Sequence, residues 1–78
     1  MNADAVAALI REAMPDARIE VRGDDGVHFE ALVVSERFEG QATLQRHRTV
    51  YAALGELMGR EIHAMSLQTL TPAELDAG

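Results

Sequence analysis

Histidines are the residues of this chain best suited to chemistry, because it has three of them and no cysteine. His28 follows a turn rich in Gly and Asp, and His63 precedes an apolar segment, so each is expected at the start of a strand. If those strands are neighbours in one sheet, the two imidazoles come near each other. Neutral imidazoles bind iron, zinc or copper, but two ligands make an incomplete site. The pair fits half of a metal site shared with a partner; the alternative is that both are merely structural or exposed.

A basic cluster is the second candidate site. Arg46, His47 and Arg48 are consecutive and Arg37 lies upstream, which raises the hypothesis of phosphate contacts with nucleic acid. Three adjacent residues on a helix cannot share one face. The favoured interpretation is that Arg46 and Arg48 are solvated flanks, while His47 is a buried or half-buried core residue. A net charge of −6 also argues against nucleic-acid binding.

The sequence offers no catalytic constellation. It shows no serine beside a plausible base, no phosphate-binding glycine loop and no paired carboxylates in an evident cleft. The segment 23–26 matches the G-x-x-G string of KH domains, but two aspartates at its centre would repel phosphate. We therefore expect a protein that is not an enzyme.

Length and composition predict one small globular domain over residues 1–78, with an apolar fraction of 47%. The first twenty residues lack a basic start followed by an apolar run, and no stretch approaches the ~18 apolar residues of a membrane span. We expect a cytoplasmic protein with no membrane partner, which alone is a monomer or a weak homodimer.

Periodicity predicts the elements that must position these residues. We expect a helix that ends before Pro15, a β-hairpin with its second strand central in the sheet, a long helix, a third strand and a final helical turn. The predicted ranges are 17–22, 27–34 and 62–69 for the strands and 41–58 for the long helix. The fold class is α+β, in the order α-β-β-α-β, with the helices on one face of a three-stranded sheet.

Local signals refine this scheme. Ser35 is expected to cap a single turn that ends at Gly40, with Phe38 pointing inward. Thr71, with Pro next and Glu74 three residues on, forms a capping box. On the long helix, an apolar arc is predicted with His47 near its centre. Its members are Leu44, His47, Val50, Tyr51, Leu54, Leu57 and Met58.

Four blocks of sequence occur in this order: SERFEG at 35–40, LQRHRTVY at 44–51, IHA at 62–64 and LTPAE at 70–74. Through these blocks the chain resembles the BolA-like family over essentially its whole length. The resemblance implies a class II KH-like fold and a partner protein rather than a reaction. BolA-like proteins pair with monothiol glutaredoxins and share a glutathione-bound [2Fe–2S] cluster. The resemblance further implies that His63 is one ligand of the cluster. The other is His28, at a position where family members carry Cys or His. The chain is similar to the histidine-bearing bacterial subgroup.

On this resemblance, glutaredoxin and glutathione supply the thiolates, and the isolated chain binds no cluster. The family also includes proteins described as DNA-binding regulators of stress and morphology genes, which is the alternative function, with Arg37, Arg46 and Arg48 as its candidate surface. The chain departs from the family pattern at Leu75, where tryptophan is frequent, and in its short final helix.

Overall fold

The chain folds in the predicted element order, and the computed structural model describes all 78 residues. Two turns of 3-10 helix lie at Glu36–Phe38 and Gly55–Leu57. The main elements are α1 (Ala3–Ala13), β1 (Arg18–Arg22), β2 (His28–Val34), α2 (Thr43–Leu54), β3 (Ala64–Leu70) and α3 (Pro72–Ala77). None of the helices combines the length and the apolarity that a membrane crossing requires.

The sheet has the order β1-β2-β3, so β2 is the central strand, as its apolar sequence predicted. β2 pairs antiparallel with β1 through the short turn at 23–27 and parallel with β3. A parallel pair needs a crossover connection, and the 35–63 segment, which contains α2, provides it. In the parallel register His28 lies opposite Ala64 and Val34 lies opposite Leu70.

One face of the sheet is covered by helices and the other is open. Along β2 the side chains of Phe29, Ala31 and Val33 are buried, while the alternating His28 and Glu30 are exposed; only at the end of the strand is Val34 buried as well. This alternation follows from the two-residue repeat of a strand. The core joins this buried face to α1 and α2. Its members are Val6, Ile10, Met14, Phe29, Val33, Phe38, Val50, Leu54 and Ile62.

The predicted caps are confirmed. The Ser35 hydroxyl accepts a hydrogen bond from the Arg37 backbone N–H at 3.1 Å, and Phe38, two residues into the 3-10 turn, is fully buried. At α3 the Thr71 hydroxyl accepts from the Glu74 N–H, and the Glu74 carboxylate accepts from the Thr71 N–H. Each bond satisfies a donor that a helix start leaves unpaired.

Helix α2 differs from its prediction in length and in orientation. It ends at Leu54 rather than near Met58, because Gly55 adopts a φ of +57° and the chain continues as 3-10 helix. Leu44, predicted on the buried arc, is 62% exposed, and the inward residues are Val50 and Leu54. Leu57 and Met58 lie beyond the helix end, yet they are partly buried and pack against the core, so the predicted arc is wrong mainly at Leu44.

His47 is half-buried at the edge of the inward face rather than at its centre. Its ring makes an edge-to-face contact with Tyr51, with ring centroids 6.3 Å apart. The third strand also starts later than predicted, at Ala64 instead of Ile62. Ile62 is nevertheless fully buried in the core, and His63 directly precedes the strand.

The corrected orientation of α2 predicts different costs for one substitution at two positions. Leu54→Ala should reduce the free energy of unfolding by about 2–5 kcal/mol, because Leu54 is 3% exposed and its removal leaves a cavity. Leu44→Ala should change it by no more than about 0.5 kcal/mol. Urea unfolding of both variants measures the difference. An equal decrease in the free energy of unfolding for both variants would support the predicted arc centred on His47 instead.

Candidate functional site

The starts of β2 and β3 lie side by side; His28 is the first residue of β2, and His63 directly precedes β3. The backbone N–H of His63 donates to the Val27 carbonyl at 2.9 Å, and the Ala64 N–H donates to the same oxygen at 3.3 Å. In the strand register, His28 lies opposite Ala64. Parallel strands begin at the same end of a sheet. Two histidines 35 positions apart in the sequence therefore lie in one small region of the fold.

The turn before β2 depends on Gly23. A Cβ atom at this position would lie 2.5 Å from the His28 carbonyl oxygen and 2.7 Å from the Phe29 ring. No side chain tolerates such contacts, so only glycine lets the turn approach the first residues of β2.

Asp25, in this turn, organises the residues that follow it. Its Oδ1 accepts hydrogen bonds from the backbone N–H groups of Val27 at 2.9 Å and of His28 at 2.8 Å. Its Oδ2 lies 2.6 Å from Nδ1 of the His28 ring. The His28 and Val27 backbone bonds, then the ring bond, hold the pKa of Asp25 well below its usual range. The carboxylate therefore stays ionised at neutral pH.

Sequence reasoning missed Asp25, although a signal was present. An Asp-Gly pair at 25–26 predicts an Asx turn whose side chain bonds to backbone groups two and three residues on. The third residue on is His28. The segment was correctly predicted as a hairpin turn, but its aspartates were assessed only as groups that would repel phosphate.

Both candidate ligands are accessible from outside the molecule. The His28 side chain is 62% exposed and lines an open concavity of about 800 Å³ together with Arg22, Asp25 and Glu30. His63 is also exposed, but it does not line this concavity. No three His, Asp or Glu side chains gather into a group that could hold a metal ion. The chain thus presents two separate imidazoles rather than a complete site.

The basic cluster is divided by the fold, and Arg46 is not a solvated flank. Its side chain is only 12% exposed, and its guanidinium lies 5.8 Å from the centre of the Phe38 ring. It donates to the Gln41 carbonyl at 2.9 Å, the Thr69 carbonyl at 3.2 Å and Glu74 Oε1 at 2.6 Å. Arginine was counted as polar in the helix pattern, whereas its stem can pack on an apolar ring while its head forms hydrogen bonds.

The other two arginines remain on the surface. Arg37 is exposed, and its guanidinium donates to the Ala13 carbonyl at 3.2 Å. Arg48 is exposed on α2. The candidate nucleic-acid surface therefore consists of these two arginines, while Arg46 connects α2 to β3 and α3.

Glu74 is the acidic partner in this connection. The hydrogen bond from Arg46 and the Thr71 backbone N–H lower the pKa of Glu74 from 4.5 to about 2. One carboxylate thus closes the capping box of α3 and receives the guanidinium of α2. The Glu74–Arg46 pair holds the last helix against the rest of the molecule.

The lowered pKa predicts an acid-dependent loss of stability. Because the folded-state pKa is the lower one, the pair stabilises the fold above the ordinary carboxyl pKa, and this contribution disappears as the pH falls from about 4.5 to about 2. Glu74→Gln should therefore lower the melting temperature at neutral pH and reduce its decline with acid. Thermal unfolding between about pH 7 and about pH 2 measures both effects.

Glu56→Gln is the matched control. Glu56 is 89% exposed, and its contact with Arg60 is long at 3.9 Å, so its replacement should leave the melting curve almost unchanged. If the pH dependence of Glu74→Gln is the same as that of the unmodified protein, the Arg46–Glu74 pair does not stabilise the fold.

Fold and site together define a small α+β domain that offers two histidines at neighbouring strand starts. The sequence pattern of BolA-like proteins matches residues 6–74, and the chain belongs to this family. BolA-like protein 1 from Homo sapiens is 40% identical to this chain, in an alignment that covers 90% of this chain and 58% of the human protein. This chain thus spans little more than half of that relative.

Two further relatives match over most of their length. The acid stress protein IbaG of Escherichia coli (strain K12) is 33% identical over 95% of this chain and 88% of its own. The structure of a bolA protein homologue from Coxiella burnetii superposes with a TM-score of 0.85, at 43% identity and with 97% of both chains covered. The α+β fold predicted for the chain is therefore confirmed by an independent structure of the same family.

Proposed function

We propose that this chain is a non-enzymatic adaptor that pairs with a monothiol glutaredoxin and shares with it a glutathione-bound [2Fe–2S] cluster. The observation that carries the proposal is the placement of His28 and His63 at the adjacent starts of two parallel strands, both exposed to a partner. The role that follows is iron–sulfur trafficking, or regulation that responds to iron, redox state or stress.

The donor set fits such a shared site. A [2Fe–2S] cluster takes four protein or thiol ligands, and two imidazoles from one partner with two thiolates from the other complete that number. Imidazole ligands leave the cluster less negatively charged than four thiolates do and raise its reduction potential. His28 and His63 are candidate ligands because both side chains are exposed.

The remainder of the region favours a protein partner over a small substrate. The concavity beside His28 is open, and its charged lining includes Asp24, Asp25 and Glu30 against Arg22 alone. Predominantly acidic, exposed charge of this kind steers the approach of a protein surface with complementary basic charge. A family relative whose name refers to acid stress supports the regulatory side of the proposal.

The alternative function, a DNA-binding regulator, has less support. Its candidate surface retains Arg37 and Arg48 but not Arg46, whose guanidinium is bonded within the molecule. A net charge of −6 opposes the approach to a phosphate backbone. No observation in the structure favours this alternative.

Anaerobic cluster assembly tests the proposal. The chain is mixed with a monothiol glutaredoxin, glutathione, iron and sulfide, and the product is followed by visible circular dichroism and native mass spectrometry. We expect a one-to-one complex with a spectrum distinct from that of glutaredoxin alone. His63→Ala should abolish that spectrum and His28→Ala should weaken or abolish it, because each removes one ligand from the cluster.

His47→Ala is the control, since it removes the third histidine without touching the proposed ligands. Its complex should show the spectrum of the unmodified protein once folding has been verified by far-ultraviolet circular dichroism. A spectrum that remains that of glutaredoxin alone, with no hetero-complex in the mass spectrum, would overturn the proposal.

A further inference from the structure

The two carboxylate oxygens of Asp25 have different partners. Oδ1 accepts from the backbone N–H groups of Val27 and His28, whereas Oδ2 faces only Nδ1 of the His28 ring, at 2.6 Å. The two backbone bonds restrict the orientation of the carboxylate and leave Oδ2 facing the ring. Asp25 is therefore a rigid acceptor built into the hairpin turn.

This arrangement decides which nitrogen of His28 carries a proton. An ionised carboxylate can only accept hydrogen bonds, so Nδ1 must be the donor. In the neutral imidazole the lone pair then lies on Nε2. Since Nε2 is across the ring from Nδ1, it points away from Asp25. The His28 side chain is 62% exposed, and such a ring would otherwise sample several rotamers.

We propose that Asp25 is a positioning residue that holds the His28 ring with Nδ1 protonated and presents Nε2 as the ligating atom. The inference rests on the proposed function, in which His28 is a ligand of the shared cluster. Histidines that bind metals generally donate their other ring N–H to a carboxylate or carbonyl, which fixes the tautomer and raises the basicity of the ligating nitrogen. Asp25 supplies this partner before any metal or partner protein arrives.

The split use of the carboxylate makes Asp25→Asn an unusually selective test. The two backbone N–H groups require an acceptor, so the asparagine carbonyl oxygen must take the place of Oδ1. Its NH₂ group then faces Nδ1 of His28 and donates to it. Nδ1 must accept, and the ring proton moves to Nε2. The turn is retained while the atom that should bind the metal is blocked, as in an Asp-to-Asn change that selects the wrong histidine tautomer.

The first measurement uses the protein alone. Long-range ¹H–¹⁵N NMR at about pH 8, where histidines are mostly neutral, reports which nitrogen of the His28 ring is protonated. We expect Nδ1–H in the unmodified protein and Nε2–H in Asp25→Asn. Asp24→Asn removes the same charge one residue away, from a side chain outside these bonds, and should show Nδ1–H. Asp25→Ser can keep the turn without reaching the ring, and should leave a mixture.

An unmodified protein with Nε2–H, or an Asp25→Asn variant with Nδ1–H, would overturn the inference. Backbone ¹H–¹⁵N spectra show whether each variant retains the hairpin. Should Asp25→Asn not fold, the serine variant decides: the inference requires that its tautomer differs from that of the unmodified protein.

The second measurement repeats cluster assembly with the glutaredoxin. Asp25→Asn should bind its partner's cluster about 10–100-fold more weakly, and Asp24→Asn should bind like the unmodified protein. If the unmodified complex forms, His28→Ala weakens it and Asp25→Asn does not, the inference fails while the proposed function stands. If no hetero-complex forms at all, the proposed function fails, and the NMR result alone decides whether Asp25 orients the ring.

Discussion

The parallel pairing of β2 with β3 is the constraint on which the rest of this structure depends. β2 is hydrogen-bonded on both sides, and its partner β3 is reached only through a crossover of some thirty residues. That crossover contains Phe38, Val50, Leu54 and Ile62, which together form much of the buried core. The burial of these side chains offsets the chain entropy lost in closing so long a connection. Strand pairing and core formation are therefore coupled.

The two ends of this parallel ladder have different roles. At the end where both strands start, His28 and His63 are exposed, and the adjacent turn is held by Gly23 and Asp25. At the other end Arg46 donates to the carbonyl of Thr69 near the end of β3 and to Glu74 of α3. An ion pair between the largely buried Arg46 and the half-exposed Glu74 thus connects the elements at one end, while the two candidate ligands remain exposed at the other. The adaptor role proposed above needs this division, because its candidate ligands must be held at the backbone yet stay accessible to a partner.

Charge type alone is a poor guide to function in this protein. Arg46 and Asp25 are both charged residues on predicted surface segments, and both make several short hydrogen bonds within the chain. Arg46 is thereby withdrawn from any nucleic-acid surface, and Asp25 orients a neighbouring side chain. In each case it is the hydrogen-bond partner, rather than the charge itself, that shows what the residue does.

Local interactions are what the sequence by itself determined. The order of the elements, the Ser35 and Thr71 caps, the inward Phe38 and the central position of β2 depend on residues a few positions apart or on hydrophobic period, and all could be read directly. Tertiary structure decided the rest. Arg46 meets Glu74 across 28 positions, α2 ends and faces the sheet where the packing of Val50 and Leu54 requires, and the register of β2 and β3 brings His63 beside Val27. These outcomes depend on which distant groups are near enough to pack or to bond, and periodicity along one segment carries no information about them.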